Sequence, residues 1–411
     1  MAGALLVGAL LATAAVLPGA AAAQKRDATT SLFSRSLDGG TPNGPSTNPA
    51  ISGDLRFAQI VAFESEASDL VANDGNALKD VFAVRRAGTF ADLGTEWKPG
   101  PTQLVSRGRK GAPANGPSFD ATTDGNVRSR ARCVAFLSDA SNLVSGDTNR
   151  QTDAFLAKAP SFVPARVSLP DGRQSSADTT QVAVSGDCSR VAFVTGGKLY
   201  LRAGRTVKRV TKKSNPADPQ FDSGETNSLV FGTTGGVYLL SEGASRASRV
   251  SKTGRNPAYI SRRRQGKQER HLVYEVDSGG YSQIAHRPLG GGESIVTKWR
   301  GDVGNGDSHE PTIFNSGFNM AFVSDASNLP TKTSGLLGDR NDLRDAYFFS
   351  RSPNVDFPVT ILESVDSDND PLRSGARNMS TSYYRNYVVF DSSANDLLAP
   401  PQVCMRYLGG I

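Results

Sequence analysis

A short apolar segment recurs seven times along this chain and constrains the fold more than any other feature. Each copy is Val-Ala-Phe or a close variant, and the aromatic residues of successive copies lie 38 to 73 residues apart. The shorter intervals match the roughly 40–50 residues that one four-stranded propeller blade requires. The repeat therefore predicts seven similar β-units. Its copies are Val61–Phe63, Val134–Phe136, Val191–Phe193, Leu229–Phe231, Leu272–Tyr274, Met320–Phe322 and Val388–Phe390.

The residues around each copy predict three further strands, called a, c and d, with the repeat itself as strand b. Strand a opens on an Asn-Pro, Asp-Pro or Glu-Pro step, as at Asn48-Pro49 and Asp218-Pro219, because Pro at a strand's first residue costs no ladder hydrogen bond. Strand c follows, as at Asp80–Val84 and Asp153–Leu156, and strand d reads Arg-Val-Ser, as at Arg166–Ser168. Alternation and β-branched content favour strands at these positions.

The two ends of the chain predict how the ring of sheets closes. The seventh unit has a strand c at Gln402–Tyr407 but no strand d after it, whereas a d-like segment, Ser31–Arg35, precedes the first strand a. An open edge invites aggregation, so we expect Ser31–Arg35 to complete the last blade. The fold predicted for residues 24–411 is a single seven-bladed β-propeller closed by its N-terminal strand. An open solenoid is the alternative.

The second unit carries a family resemblance. The string Val134–Val144, followed by Gly146–Asn149 and Asp153–Phe155, resembles the WD-like propeller repeats of the TolB type, and Phe322–Leu329 and Phe63–Val71 match nearly as well. The resemblance covers almost the whole chain after residue 23. It implies the propeller fold and says little about function. TolB itself carries an α/β domain before its propeller, whereas strands are expected here from about Ser31.

The first 23 residues read as a signal peptide. They contain no charged side chain and run from an apolar stretch, Ala4–Leu17, to Ala21–Ala23 before Gln24. An apolar core followed by small residues is the pattern of a cleaved secretory signal, although no basic residue precedes the core. We therefore expect an exported, periplasmic or extracellular protein with no transmembrane segment in the mature chain. An uncleaved membrane anchor is the alternative.

Three cysteines, Cys133, Cys188 and Cys404, leave at least one unpaired in an exported chain. Cys133 opens strand b of blade 2, and Cys188 lies in the a–b turn of blade 3. Both are at the same end of neighbouring blades, so a disulfide is conceivable within a narrow geometric window. The sequence leaves that pairing open, and the absence of a Cys-x-x-Cys motif argues against zinc and thioredoxin chemistry.

Catalytic motifs are missing from the sequence. The three histidines, His271, His286 and His309, stand in strands or at a strand entry without a nucleophile motif, which favours satisfied or exposed side chains over a general base. There is no Gly-x-Ser-x-Gly elbow and no phosphate-binding Gly-rich loop before a helix. Trp97 and Trp299 are not in a sialidase-type turn. We assign no catalytic residue and no cofactor.

Three acidic loops share an Asp-x-Asn-x-x-x-Asp spacing that offers oxygen ligands at alternating positions, as calcium requires. They are Asp74–Asp80, Asp147–Asp153 and Asp339–Asp345. None has the terminal Glu of an EF-hand. The alternative, which we favour, is that the last Asp of each loop binds backbone N–H groups before strand c. The acidic turn Ser364–Pro371 is also read as a solvated loop, so no metal site is assigned.

One basic run, Arg262–Arg264 with Lys267 and Arg270, falls in the a–b hairpin of blade 5. Nucleic-acid binding would want interleaved aromatic residues and a basic face, and the sequence shows neither. A solvated hairpin tip is the default, and weak binding to anionic envelope polymers is the sharper alternative. We expect no specific nucleic-acid partner.

The b–c loops are of two lengths. Blades 3, 4 and 5 have Gly-Gly turns, whereas blades 1, 2, 6 and 7 have longer loops, which are Glu66–Lys79, Asp139–Thr152, Asp325–Arg344 and Ser392–Pro401. Because blades 6, 7, 1 and 2 are neighbours in a closed ring, the long loops should form a crest over half of one face, where recognition usually occurs. A Leu recurs in each long loop and should fold back onto its blade: Leu70, Leu143, Leu329 and Leu397.

These observations predict a monomeric, non-catalytic propeller that binds a protein or another ligand, or acts as a scaffold, in the cell envelope or outside the cell. The partner, a protein or an envelope polymer, is not identified by the sequence. The alternative is a hydrolase or lyase that acts on glycans through carboxylates dispersed across the central channel. Carboxylates paired with arginines in the channel would favour the enzyme, and an apolar or glycine-lined channel would favour binding.

Overall fold

The computed structural model describes residues 29–55, 57–88, 97–299, 301–314, 317–329, 343–350, 359–362, 364, 372, 375–383, 386–393 and 400–408. The proposed signal segment 1–23, Leu397, the loop tip at Arg340 and Asn341, and most of the acidic turn 364–371 lie outside these residues. No helix among the described residues is long and apolar enough to span a membrane.

Seven four-stranded antiparallel sheets form the blades, and the eighth sheet is a two-stranded hairpin, Lys298–Trp299 with Asp302–Val303. Strands a to d are Ser46–Ile51, Ile60–Ser65, Asp80–Arg86 and Pro99–Leu104 in blade 1; Ser118–Thr123, Cys133–Ser138, Asp153–Lys158 and Val163–Arg166 in blade 2; Thr179–Val184, Arg190–Thr195, Lys198–Ala203 and Thr206–Arg209 in blade 3; Ala217–Phe221, Leu229–Thr233, Gly236–Leu240 and Ser248–Ser251 in blade 4; Arg255–Arg264, Lys267–Ser278, Tyr281–Pro288 and Ser294–Ile295 in blade 5; Ser308–Phe314, Asn319–Ser324, Asp345–Ser350 and Val359–Leu362 in blade 6; and Arg377–Thr381, Tyr387–Ser392, Gln402–Tyr407 and Thr29–Leu32 in blade 7.

The apolar repeat is buried on both faces because each blade packs between two others. In blade 1, Val61 and Phe63 face blade 7 and Ala62 faces blade 2. The same alternation gives one apolar cluster at each of the seven blade interfaces. The strand-b aromatic also stacks on an aromatic of strand c, as Phe63 does on Phe82 with ring centroids 5.8 Å apart. A short strand buried on both faces thus explains why the repeat contains no polar residue.

The N-terminal strand closes blade 7, as the sequence predicts. Thr29–Leu32 pairs antiparallel with Gln402–Tyr407, with Leu32 opposite Cys404. The strand ends earlier than the predicted Ser31–Arg35, because the next two residues turn inward and their N–H groups both donate to the Val403 carbonyl. The ring is complete, since strand a of each blade contacts strand a of both neighbours.

In blades 1, 2, 3 and 5 the last two residues of the d motif follow strand d instead of lying within it, which corrects the predicted bounds. In blade 4, Val250 and Ser251 lie within strand d as predicted. In blade 2 the strand ends at Arg166, Val167 is buried, and Ser168 Oγ accepts from the N–H of Ala154 at 3.0 Å and donates to Asp153 at 2.5 Å. Five blades repeat this relay between the hydroxyl after strand d and a side chain of strand c. The pairs are Ser106 with Asp80, Ser168 with Asp153, Thr297 with Gln283, Ser364 with Asp345 and Ser34 with Gln402.

A disulfide between Cys133 and Cys188 links strand b of blade 2 to the a–b turn of blade 3, with the two Cα atoms 6.3 Å apart. This resolves the pairing that the sequence leaves open. Cys404 is a buried free thiol in blade 7, and burial raises its pKa to about 12. The described chain therefore has one covalent link between blades and one thiol that is protonated at neutral pH.

Candidate functional site

The central channel is lined by the seven a strands and encloses a cavity of about 420 Å³. Its wall contains the carboxylates of Asp120, Asp218, Asp222 and Glu310 together with amide, hydroxyl and apolar side chains. Lys, Arg and His are absent from the described residues of this wall. The channel thus has the carboxylates that the enzyme alternative requires, without the arginines that would pair with them. Gly53, Gly125 and Gly186 also line it, but the wall as a whole is neither apolar nor built of glycine, so it favours neither the enzyme nor the binding module.

Every strand a is interrupted by a bulge, seen as a register shift against strand b in all seven blades. The Pro of the X-Pro step lies inside the strand at this bulge and not at the strand's first residue, which corrects the prediction. In six blades the bulge residue has a positive φ between 44° and 55°; these residues are Asn48, Asp120, Asp218, Asn256, Asn378 and Glu310. Asn and Asp tolerate this conformation better than most residues, which explains their recurrence.

The bulges build a closed girdle of hydrogen bonds around the channel. At each blade interface an N–H near the bulge donates to a side-chain oxygen of the preceding blade. The seven bonds are Asn48 N to Asp391 (3.3 Å), Asp120 N to Glu64 (2.7 Å), Val182 N to Asp120 (3.3 Å), Asp218 N to Gln181 (2.8 Å), Asn256 N to Asp218 (3.2 Å), Glu310 N to Glu275 (3.1 Å) and Asn378 N to Glu310. The channel carboxylates therefore hold neighbouring blades together.

Burial raises the pKa of three of the girdle carboxylates. Burial raises the pKa of Asp120 to about 6, and the nearby charge of Glu64 adds to the rise. Burial also raises the pKa of Asp391 to about 6 and raises the pKa of Glu310. A raised carboxyl pKa can mark a general acid. Here the same oxygens accept main-chain N–H groups, so a structural role accounts for the burial.

The end of the channel at the a–b turns is tightly packed. Ser223 Oγ of blade 4 donates to the carbonyl of Ile313 in blade 6 at 2.7 Å, passing blade 5. A Cβ on Gly224 would lie 1.9 Å from the Ser261 carbonyl oxygen, so only glycine fits there. The Asp222 carboxylate accepts the Ser261 N–H at 2.7 Å. The a–b turn of blade 4 is therefore packed against strand a of blade 5 and reaches blade 6 at this end of the channel.

The b–c face carries the long loops, here called the crest, in blades 6, 7, 1 and 2. The predicted inward Leu side chains are confirmed where described, because Leu70, Leu143 and Leu329 are all buried. The tips of the blade 6 and blade 7 loops lie outside the described residues. The described parts show that the loops are packed onto their blades and leave their polar residues on the surface.

One repeated network fixes three of these loops. An Asn in the segment before strand a clamps the loop of its own blade. In blade 2, Asn115 donates from its backbone N–H to Asn142 (3.1 Å) and from Nδ2 to Ser141 (2.9 Å), and its Oδ1 accepts the Ser141 N–H (2.9 Å). Asn43 in blade 1 and Asn305 in blade 6 make equivalent contacts. The crest loops of blades 1 and 2 and the described part of the blade 6 loop are therefore preorganised, which lowers the entropy lost on binding.

A groove of about 690 Å³ runs between the crest loop of blade 1 and the first half of strand a in blade 2. Half-exposed Phe119, Pro117 and Leu78 provide apolar surface, and Glu66 and Lys79 provide charge. At its inner end Glu64 accepts Asn48 Nδ2 at 2.5 Å and lies 3.7 Å from Lys79 Nζ. The groove thus begins at the girdle and opens across the crest.

The acidic loops use their oxygens for internal contacts. Asp153 accepts Ser168 Oγ at 2.5 Å, Asn149 Nδ2 at 3.2 Å and Arg166 Nη1 at 3.0 Å. Asp147 pairs with Arg166 at 3.1 Å, and Asp80 accepts Ser106 Oγ and Asn76 Nδ2. We expected the last Asp of each loop to bind a backbone N–H group directly. In the structure a serine hydroxyl accepts that N–H and itself donates to the Asp carboxylate.

The histidines are satisfied side chains. His271 and His286 are buried, stack with ring centroids 5.3 Å apart and share a hydrogen bond of 3.1 Å, while His309 lies 3.4 Å from Glu275. Burial lowers the pKa of His271. No nucleophile is among their described partners.

Sequence reasoning missed the girdle. Its signal is present, since Asn48, Asp218, Asn256 and Glu310 each precede a Pro at the same point of the repeat. The missing information was that the Pro marks a bulge, which turns the preceding N–H away from the ladder and toward the next blade.

No family model matches this chain, and no curated protein matches it. The chain is similar to a solved structure from Agrobacterium tumefaciens, provisionally named TolB, with 14% sequence identity and a TM-score of 0.38. That similarity covers 58% of this chain and 84% of the other. The propeller assignment itself rests on the seven four-stranded sheets of this chain.

Proposed function

We propose that this protein is an exported, non-catalytic binding module that recognises a protein partner on its crest. The observation that carries the proposal is the Asn-centred network that fixes the long b–c loops of blades 1, 2 and 6. Rigid loops on a rigid scaffold are suited to recognition. The groove beside Phe119 and Leu78 offers the partner apolar surface next to charge.

Export is part of the proposal and rests on the sequence of residues 1–23. Fractionation of cells that express the whole chain tests it. The mature protein should be found outside the cytoplasm with a new N-terminus near Gln24. A chain recovered only from the cytoplasm with residues 1–23 intact would contradict export.

Site-specific photocrosslinking in cells tests the crest. A crosslinking residue at Ala72, Ser145 or Arg150, all exposed on the crest loops and outside the Asn-centred network, should give a distinct protein adduct. Lys198 and Thr234 are matched controls, because they are exposed on the b–c turns of blades 3 and 4 on the same face. Adducts at the controls but not at the crest would place the site elsewhere.

The glycan-enzyme alternative keeps one observation in its favour, the raised pKa of Asp120. It predicts that Asp120→Asn abolishes cleavage of a glycan panel, whereas the binding proposal predicts no cleavage by the parent protein. Release of reducing ends from any polysaccharide by the parent, lost in the variant, would favour the enzyme.

A further inference from the structure

Basic side chains are concentrated in one part of the chain. Residues 198–270, which run from strand c of blade 3 to strand b of blade 5, contain 16 Lys and Arg against 5 Asp and Glu. The whole chain has 46 basic and 40 acidic residues, so the remaining positions contain 30 basic and 35 acidic residues. The basic run at Arg262–Arg264 is therefore the last part of a longer basic segment.

Part of this charge lies on the outer edge of the propeller. Six exposed residues define what we call the basic arc: Lys208, Arg209, Lys212, Lys213, Arg246 and Arg249. Lys208, Arg209 and Arg249 belong to strand d, the outermost strand of blades 3 and 4. None of the six forms an ion pair with a residue that the structure describes. Their field is therefore directed at solvent and not at neighbouring carboxylates.

The arc lacks the groups that other partners require. The exposed large apolar residues of the described chain are Leu37, Val163, Tyr281 and Leu343, all outside 198–270. Protein interfaces rely on buried aromatic and apolar anchors, and single-stranded nucleic acids stack on exposed aromatic rings. Tyr200 is half-buried and Tyr238 and Tyr259 are buried, so the arc offers no stacking surface.

Its shape selects a flexible polymer. The d strands of successive blades lie along a convex rim, so a flat membrane touches one blade at a time. Duplex DNA is stiff over about 150 base pairs and does not follow so small a curve without a large bending cost. A flexible chain with a charge on every one or two sugar units can follow the rim and neutralise each blade in turn.

We infer that the basic arc binds an acidic polysaccharide, a flexible polymer that carries carboxylates. The basic hairpin Arg255–Arg264 with Lys267–Ser278 is formed by strands a and b of blade 5 and is not part of the arc. The arc lies on the blades with short turns, away from the crest. One protein could therefore hold a polymer on its rim and a partner on its crest. A variant that loses binding at one of these sites should keep binding at the other.

The test measures binding of the purified chain to alginate by biolayer interferometry at 50 and 200 mM NaCl. Ionic binding to a polyanion should weaken by about tenfold or more over this range. The arc variant carries Lys212→Glu, Lys213→Glu, Arg246→Glu and Arg249→Glu. Its control carries the same charge change at exposed residues of blades 1 and 2: Lys98→Glu, Arg109→Glu, Lys110→Glu and Arg150→Glu.

We expect the arc variant to lose about tenfold or more in affinity at 50 mM NaCl and the control to stay within about threefold of the parent. Both should keep the parent melting temperature, because all eight positions are exposed. Equal losses in the two variants would overturn the proposal, since net charge alone would then explain binding. Tighter binding to poly(U), or to vesicles with anionic lipid, than to alginate would also overturn it.

Discussion

The side chains of Ser34 and Gln402, 368 residues apart in the chain, are joined by a hydrogen bond of 2.9 Å inside blade 7. The same hydroxyl accepts the Val403 N–H at 3.1 Å, and Gln402 Nε2 donates to the Gly44 carbonyl at 2.9 Å. This is the relay that other blades build between residues about 15–26 apart. The N-terminal segment therefore supplies both the missing strand d of the last blade and the hydroxyl relay that follows it.

Ser34→Ala should weaken the closure. It leaves the buried Gln402 oxygen and the Val403 N–H without this partner, which should lower the free energy of unfolding by about 1–3 kcal/mol. Urea denaturation measures it. Ser31→Ala is the matched control, because Ser31 is exposed on the same segment and should stay within about 0.5 kcal/mol. Deletion of residues 24–36 should go further and cause aggregation, and an unchanged, monomeric deletion variant would contradict the closure.

Glu64→Ala should destabilise the girdle. Glu64 accepts both Asn48 Nδ2 and the Asp120 N–H, so its loss leaves two half-buried donors without this partner and should cost about 1–3 kcal/mol in unfolding free energy. Glu66 is exposed two residues later, and Glu66→Ala should change stability by less than about 0.5 kcal/mol. Equal melting temperatures for the two variants would show that the girdle contributes little.

The blades could be predicted because their signal is local and repeated. Val61–Phe63 and its six equivalents must be buried on both sides, and the count of d segments leaves Ser31–Arg35 unclaimed. The crest could also be predicted, from the lengths of the b–c loops, but the network that fixes these loops could not. Asn115 and Asn142 are 27 residues apart, and nothing local indicates that they bind each other. The basic arc was missed because Lys208 and Arg249 join one surface only when strands d of adjacent blades are side by side.

The unfolding free energy should fall as the pH rises from about 4 to 7. Burial raises the pKa of Asp54, Asp80, Asp120 and Asp391 from 3.8 to about 6, and that of Asp124 to about 7. The folded state therefore holds more protons than the unfolded state in this range, and their contribution is complete below pH 3.8 and lost above the raised values. The pKa of Asp187 is lowered to about 2, so the protonation of this residue changes the stability only below this pH range. The melting temperature should thus be higher at pH 5 than at pH 8.

Asp124→Asn isolates one of these groups. Asp124 Oδ1 accepts the N–H groups of Arg132 and Cys133 at 2.7 and 2.8 Å, and Oδ2 has no hydrogen-bond partner among the described residues. The amide keeps the acceptor and removes the buried charge. The variant should be at least as stable as the parent at pH 8 and show a smaller pH dependence. A pH dependence identical to that of the parent would show that Asp124 does not titrate as proposed.

The disulfide should stabilise the interface between blades 2 and 3. Removing it with Cys133→Ala and Cys188→Ala should lower the free energy of unfolding by about 2–4 kcal/mol, since the unfolded chain loses a constraint across 55 residues. Thiol labelling provides the control. The denatured, unreduced parent should bind one equivalent of reagent, at Cys404, and the reduced protein three. Three reactive thiols before reduction would contradict the pairing.

Calcium should leave the melting temperature unchanged within about 1 °C at millimolar concentration, a shift smaller than one kcal/mol of stabilisation produces. The reason is that Asp153, Asp147 and Asp80 already accept hydrogen bonds or pair with Arg166. A calcium ion would have to displace the Arg166 guanidinium, which is itself largely buried between Asp147 and Asp153. Arg166→Gln sharpens the test, because it removes the competing cation and leaves the oxygens. If calcium stabilises this variant but not the parent, the arginine occupies the position of an ion. If calcium stabilises the parent, and a chelator reverses the effect, the loops bind metal and their internal hydrogen bonds do not prevent it.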